Sequence, residues 1–213
     1  MTIDRHAVVL SLCLAGARPA LAQPDNLVVS SASPRLTLRI DPAFRRLPAM
    51  AFPIKDLTNV RREVFVDADR ARRVRRTVII QFETVQTGSD FRFHYPSRPP
   101  QTLGMETYRF GAFAYEDARA AAANPDKEVG LTRALLIAQG LTPPRVWRAA
   151  RLGRVADPQG LSEVIVFYFE DADALYPPGP IAGATEDGYV DLDAETAALL
   201  LARLRAAVTV VEG

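Results

Sequence analysis

Side chains that ordinarily titrate near neutral pH are few in this chain. His94 is one of two histidines. It lies in the segment DFRFHY (90–95), where alternation puts Arg92 and His94 on one side and Phe91, Phe93 and Tyr95 on the other. Histidine titrates nearest neutral pH, so His94 suits a general base in a hydrolase. A triad also needs a positioned nucleophile, and no G-x-S-x-G elbow supplies one. A surface or hydrogen-bonded structural histidine is the simpler expectation.

Glu83, Glu163 and Glu170 fall on strand-like segments. Two of them facing each other at roughly 5–9 Å would form the carboxylate pair of a glycoside hydrolase. Ion pairs with Arg92, Arg109 or Arg151 are the commoner fate of such residues. Asp187, Asp191 and Asp193 sit beside Gly188, but their spacing does not match the EF-hand loop. Asp193 has a simpler role as a helix cap.

The densest charge run is Arg70, Arg72, Arg73, Arg75 and Arg76. It suits a polyanion or a protein partner, and equally a solvated hairpin end whose charges discourage edge pairing. Asp67 and Asp69 neutralise part of it. Trp147 and the aromatics at 91, 93, 108, 110, 113, 167, 168 and 169 read first as core. Lining a gap beneath the C-terminal helix, they would make an apolar pocket with Gln81, Glu83, Arg92, His94, Arg109 and Arg151 as polar handles. No Rossmann or Walker glycine loop occurs, so no nucleotide cofactor is expected. No metal and no nucleic-acid partner are expected either.

Export governs which of these residues remain. Arg5 and His6 precede an apolar run of about eleven residues, Ala7 to Ala17, too short for the roughly twenty that span a bilayer. Pro19 and Ala20-Leu21-Ala22 follow as a small-x-small cleavage site. We expect residues 1–22 to be a cleavable signal peptide and residues 23–213 one periplasmic or secreted domain. Cleavage removes Cys13, the only cysteine, and His6. A thiolate site, an internal disulfide and a two-histidine zinc site are thereby excluded from the mature chain. About 190 residues remain, enough to bury a sizeable core, and no second apolar run is long enough to cross a membrane.

The positioning elements read as follows. Arg35 to Ile40 alternates as a half-buried strand. Val60–Val66 and Val74–Val85 form a hairpin, 90–95 a further strand, and Thr107–Tyr115 another. Helices run from Glu116 to Ala123 and from about Pro125 to Gln139, with Gly140 as C-cap. Arg145–Val155 and Glu163–Glu170 make a second hairpin around Asp157-Pro158-Gln159-Gly160. Residues 176–188 are a Pro/Gly loop, and Asp193 starts a last helix from Ala194 to about Ala207.

These elements predict an α+β fold: a curved, mostly antiparallel sheet with a mid-chain helical pair and a closing C-terminal helix packed on one face. The functional expectation is a non-enzymatic exported domain that binds an apolar or amphipathic small molecule, or an accessory envelope protein. The alternatives are a hydrolase using His94 or the strand glutamates, and an envelope scaffold working through the Arg70–Arg76 hairpin.

Overall fold

The computed structural model describes residues 26–95 and 98–211; the expected signal peptide lies outside them. In chain order the strands are β1 (Leu27–Ser30), β2 (Leu36–Ile40), β3 (Arg45–Arg46), β4 (Met50–Ile54), β5 (Thr58–Ala68), β6 (Val74–Val85), β7 (Pro100–Leu103) and β8 (Glu106–Glu116). Helices α1 (Asp117–Ala123) and α2 (Glu128–Ala138) follow, then β9 (Val146–Val155), β10 (Ser162–Asp171), β11 (Tyr189–Asp191), α3 (Ala194–Ala207) and β12 (Val208–Val210).

Nine strands form one antiparallel sheet, ordered β11-β8-β9-β10-β6-β5-β3, with β4 on β5 and β7 on β8. The centre goes to the strands that are apolar on both faces: nine of the ten residues of β10 are buried. Such strands cannot sit at an edge without exposing one apolar row. The turn between β9 and β10 is closed by Asp157, whose carboxylate accepts from the backbone N–H of Gln159, Leu161 and Ser162. Gly160 takes φ 70° there, a left-handed conformation open to glycine at little cost.

The two faces of the sheet are covered differently. On one, Val78, Ile80, Leu152, Val164 and Val166 pack against Leu200, Leu201 and Leu204 of α3. A separate three-stranded sheet, β1-β2-β12, brings Val28, Leu38, Ile40 and Val208 into the same core. Asp193 caps α3 by accepting from Thr196 N at 2.9 Å. On the other face, Val64, Ile79, Ile165, Phe167 and Trp147 pack against Ala120 of α1 and Leu136 of α2. The α+β class, the antiparallel sheet and the closing helix on one face stand as expected, with the helical pair on the opposite face.

One expectation is corrected. Residues 90–95 form no strand; they run as irregular chain along the sheet, Phe93 N donating to Gly160 O at 2.9 Å. Phe93 and Tyr95 are half-buried against the protein while Phe91, Arg92 and His94 are exposed, so the alternation needs no ladder. Open space occurs against both helical layers: a cavity of about 240 Å³ lies beside the C-terminal end of α3, between Phe44, Arg76, Tyr168 and Arg203, and one of about 310 Å³ opens under α1 and α2.

Candidate functional site

Strand register places the site. On β5, Val60, Arg62, Val64 and Val66 share the face toward the helical pair; on β6 so do Thr77, Ile79, Gln81 and Glu83; on β10, Glu163, Ile165, Phe167 and Phe169. Two polar rows therefore cross an otherwise apolar surface. Arg62 stands opposite Gln81, and Glu83 opposite Glu163.

One cavity of about 310 Å³ opens between this face and α1–α2, within the size range of small-molecule sites. Its wall is a continuous aromatic cluster. Tyr115 stacks on Tyr189 at 5.1 Å and meets Phe169 edge-on at 6.2 Å, Phe167 stacks on Phe169 at 5.6 Å, and Trp147 meets Phe169 at 6.0 Å. Its roof is α2, which presents Glu128, Val129, Thr132, Arg133 and Leu136, the three- and four-residue spacing of one helix face. Gly130 lets the Asn124-Pro125 turn pack against the first turn of α2: a Cβ there would lie 2.4 Å from Pro125 O and 2.5 Å from Asn124 O.

Arg62 lies at the bottom of this cavity, 3% exposed. Its Nη1 donates to Glu128 O at 2.8 Å and to Thr132 Oγ1 at 2.5 Å, and the guanidinium lies over Phe167 at 5.5 Å. Its Nε is buried without an acceptor, and among the described residues no carboxylate lies within ion-pair distance. Burial lowers its pKa, and the more distant charges of Glu128 and Glu83 oppose that only partly. Asp117, by contrast, is satisfied: it accepts from Trp147 Nε1 at 2.9 Å and from Arg133 Nε at 2.8 Å. Burial pushes its pKa up despite both donors.

A second cavity of about 380 Å³ continues along the same face, sharing Glu128, Arg151 and Phe167 with the first. Glu83 and Glu163 form its polar floor, 6% and 4% exposed. Glu83 accepts from Gln81 Nε2 at 2.5 Å and from Thr58 Oγ1 at 3.2 Å. Glu163 accepts from the Tyr95 hydroxyl, which in turn accepts from Arg151 Nη2 at 2.6 Å. Tyr95 reaches across because Gly153 has no side chain; a Cβ there would lie 3.1 Å from its hydroxyl. Burial is the main cause that raises the Glu163 carboxyl to about 7, with the charge of Glu83 adding to it. Burial raises Glu83 as well.

Of the residues singled out from sequence, Glu83, Arg92, His94 and Arg151 line this second cavity, and Gln81 joins it through Glu83. His94 and Arg92 are exposed at its mouth. Arg109 stands apart, donating to Arg98 O at 3.2 Å. The expected glutamate ion pairs are different ones: Glu170 is held by Arg148 and Arg203, while neither Glu83 nor Glu163 has an arginine within ion-pair distance among the described residues.

The arginine hairpin is largely engaged within the chain. Arg72 donates to the carbonyls of Gln139 and Gly140 at the end of α2. Arg73 pairs with Asp171 and Asp173, and Arg75 and Arg76 share Asp67. Arg70 is exposed. Asp187 accepts from Thr185 Oγ1 at 2.6 Å. Among the described residues no cluster of three or more His, Cys, Asp or Glu could hold a metal, and no helix is long and apolar enough to cross a membrane.

Arg62 was not foreseen, though the sequence carries a signal for it. In VRREVFV it is the one charge among the apolar residues that share its face. Compared with protein-family models, with curated proteins and with solved structures, the chain matches none.

Proposed function

We propose that the chain is a non-enzymatic, exported domain that binds a small amphipathic molecule in the cavity beneath α1 and α2. The acidic head of the ligand meets Arg62 and its apolar body lies on the wall formed by Tyr115, Trp147, Phe169 and Tyr189. The buried guanidinium without a carboxylate partner carries this reading. A charge removed from water costs several kcal/mol unless a counter-ion offsets it, and about 310 Å³ of open space beside Arg62 leaves room for one. The inner wall is aromatic; Asp117, Lys127, Glu128, Arg133, Arg151 and Asp187 add further charges to the lining, and Arg62 is the buried one without a carboxylate partner among the described residues.

Native mass spectrometry of the exported protein tests the reading, followed by titration with octanoate. Trp147, the only tryptophan, lines the cavity and reports occupancy by its fluorescence. Saturable change with octanoate supports the proposal; a flat response, with no copurified acid, removes it.

One observation favours a hydrolase as the second reading, the opposed pair Glu83 and Glu163. Activity on a glycoside panel that is abolished in Glu163→Gln would replace binding by catalysis. His94 contributes less to this reading, being exposed at the mouth.

A further inference from the structure

We propose that the second cavity is a subsite for an organic ammonium group, held over the carboxyl pair of Glu83 and Glu163. Its place as an extension of the Arg62 cavity rests on the proposed function; its own chemistry does not.

Two observations point to a cation. First, the two carboxyls face each other across β6 and β10, both buried, and each receives donors from neutral groups only: Gln81 and Thr58 for Glu83, Tyr95 for Glu163. The two arginines that line the same cavity are turned to other partners. Arg151 donates to Tyr95 and lies over its ring at 5.0 Å, and Arg92 donates to the carbonyls of Ser89 and Phe91. Arg151 reaches the pair only through the Tyr95 hydroxyl, and its charge offsets the burial of the two carboxyls only in part, so they cannot both ionise cheaply.

Second, the walls are Phe93, Ile165, Phe167 and Leu57. Aromatic faces attract a cation that is partly desolvated, and apolar walls suit an alkyl or aryl amine better than a hydrated metal ion.

Strand geometry sets the distance to Arg62. Arg62 and Glu163 are separated by two strand spacings and a two-residue step along β6. That places their Cα atoms roughly 12 Å apart, from about 4.8 Å per strand and about 3.4 Å per residue. An extended medium-chain ω-amino acid has a comparable span, so the ammonium comes either from a zwitterion whose acid end lies on Arg62 or from a separate amine.

The experiment is calorimetric titration with octylamine, octanoate and 8-aminooctanoate on the wild-type chain and on Glu163→Gln, Glu83→Gln and Arg62→Met. The glutamine variants are isosteric with a protonated carboxyl, and thermal melts confirm that they fold. Octylamine is expected to bind the wild type and to weaken at least tenfold in either glutamine variant, with octanoate binding unchanged. A zwitterionic ligand shows as 8-aminooctanoate binding at least tenfold tighter than octylamine and losing that gain in Arg62→Met. A separate amine shows as equal affinity for the two. Octylamine binding that is absent, or equal in all variants, overturns the inference. If octanoate still binds in that case, the Arg62 reading survives; if octanoate alone fails, that reading falls and the ammonium subsite stands.

Discussion

Glu83 and Glu163 are direct cross-strand partners on β6 and β10, and both carboxyl groups are buried on the same face of the sheet. Like charges opposite one another destabilise a ladder. Burial first, and the charge of Glu83 after it, push the Glu163 carboxyl up to about 7 from its usual 4.5, which favours a proton on the pair.

Between about 4.5 and 7 the folded chain holds a proton on Glu163 that the unfolded chain has released. Folding stability is therefore greatest below that window and falls as pH rises through it. Urea midpoints measured from pH 5 to pH 8 should decline, and the decline should flatten in Glu163→Gln. A midpoint that rises with pH equally in both proteins would contradict this.

Arg62→Met should separate stability from binding. Replacing a buried, unpaired charge with an apolar side chain of similar length is often neutral or stabilising. We expect the unliganded variant to gain about 1 kcal/mol, or a few degrees in Tm. A loss of more than about 3 kcal/mol would make the bonds to Glu128 O and Thr132 the reason for the residue.

Gly130→Ala should disturb the roof. Its methyl would overlap the carbonyls of Asn124 and Pro125, so α2 must shift, at a cost of about 1–3 kcal/mol. Thermal melts should show that loss, together with weaker octanoate binding.

Asp193→Ala is the control from the opposite face. Loss of the cap on α3 should cost about 1 kcal/mol, with octanoate affinity unchanged. A change in affinity would mean that the two faces are coupled.

Much of the framework was legible in the sequence because local signals and tertiary packing agreed. The hairpins β5–β6 and β9–β10, both mid-chain helices and α3 follow from alternation, from Asn124-Pro125 and from Asp193. What could not be read depends on distant pairing. β12 is three residues long and exists because β2 supplies its ladder, and β11 because β8 does. Residues 90–95 show the reverse: their period-two pattern is that of a strand, but the chain there follows the sheet without joining it. Glu83, Gln81 and Arg151 were legible as polar residues in strands. That Glu83 opposes Glu163 depends on register, which no local pattern encodes. Arg62 lies within the strand read at Val60–Val66, with Arg61 on the opposite face, and which face is covered depends on the distant helices.

The central claim is that Arg62 awaits an anion. Calorimetric titration of octanoate into the wild-type chain and into Arg62→Met tests it most directly. Saturable binding at one site in the wild type, weakened at least tenfold in the variant, a difference of about 1.4 kcal/mol, is the predicted result. Equal affinity in the two proteins, or no heat of binding in the wild type, would contradict it.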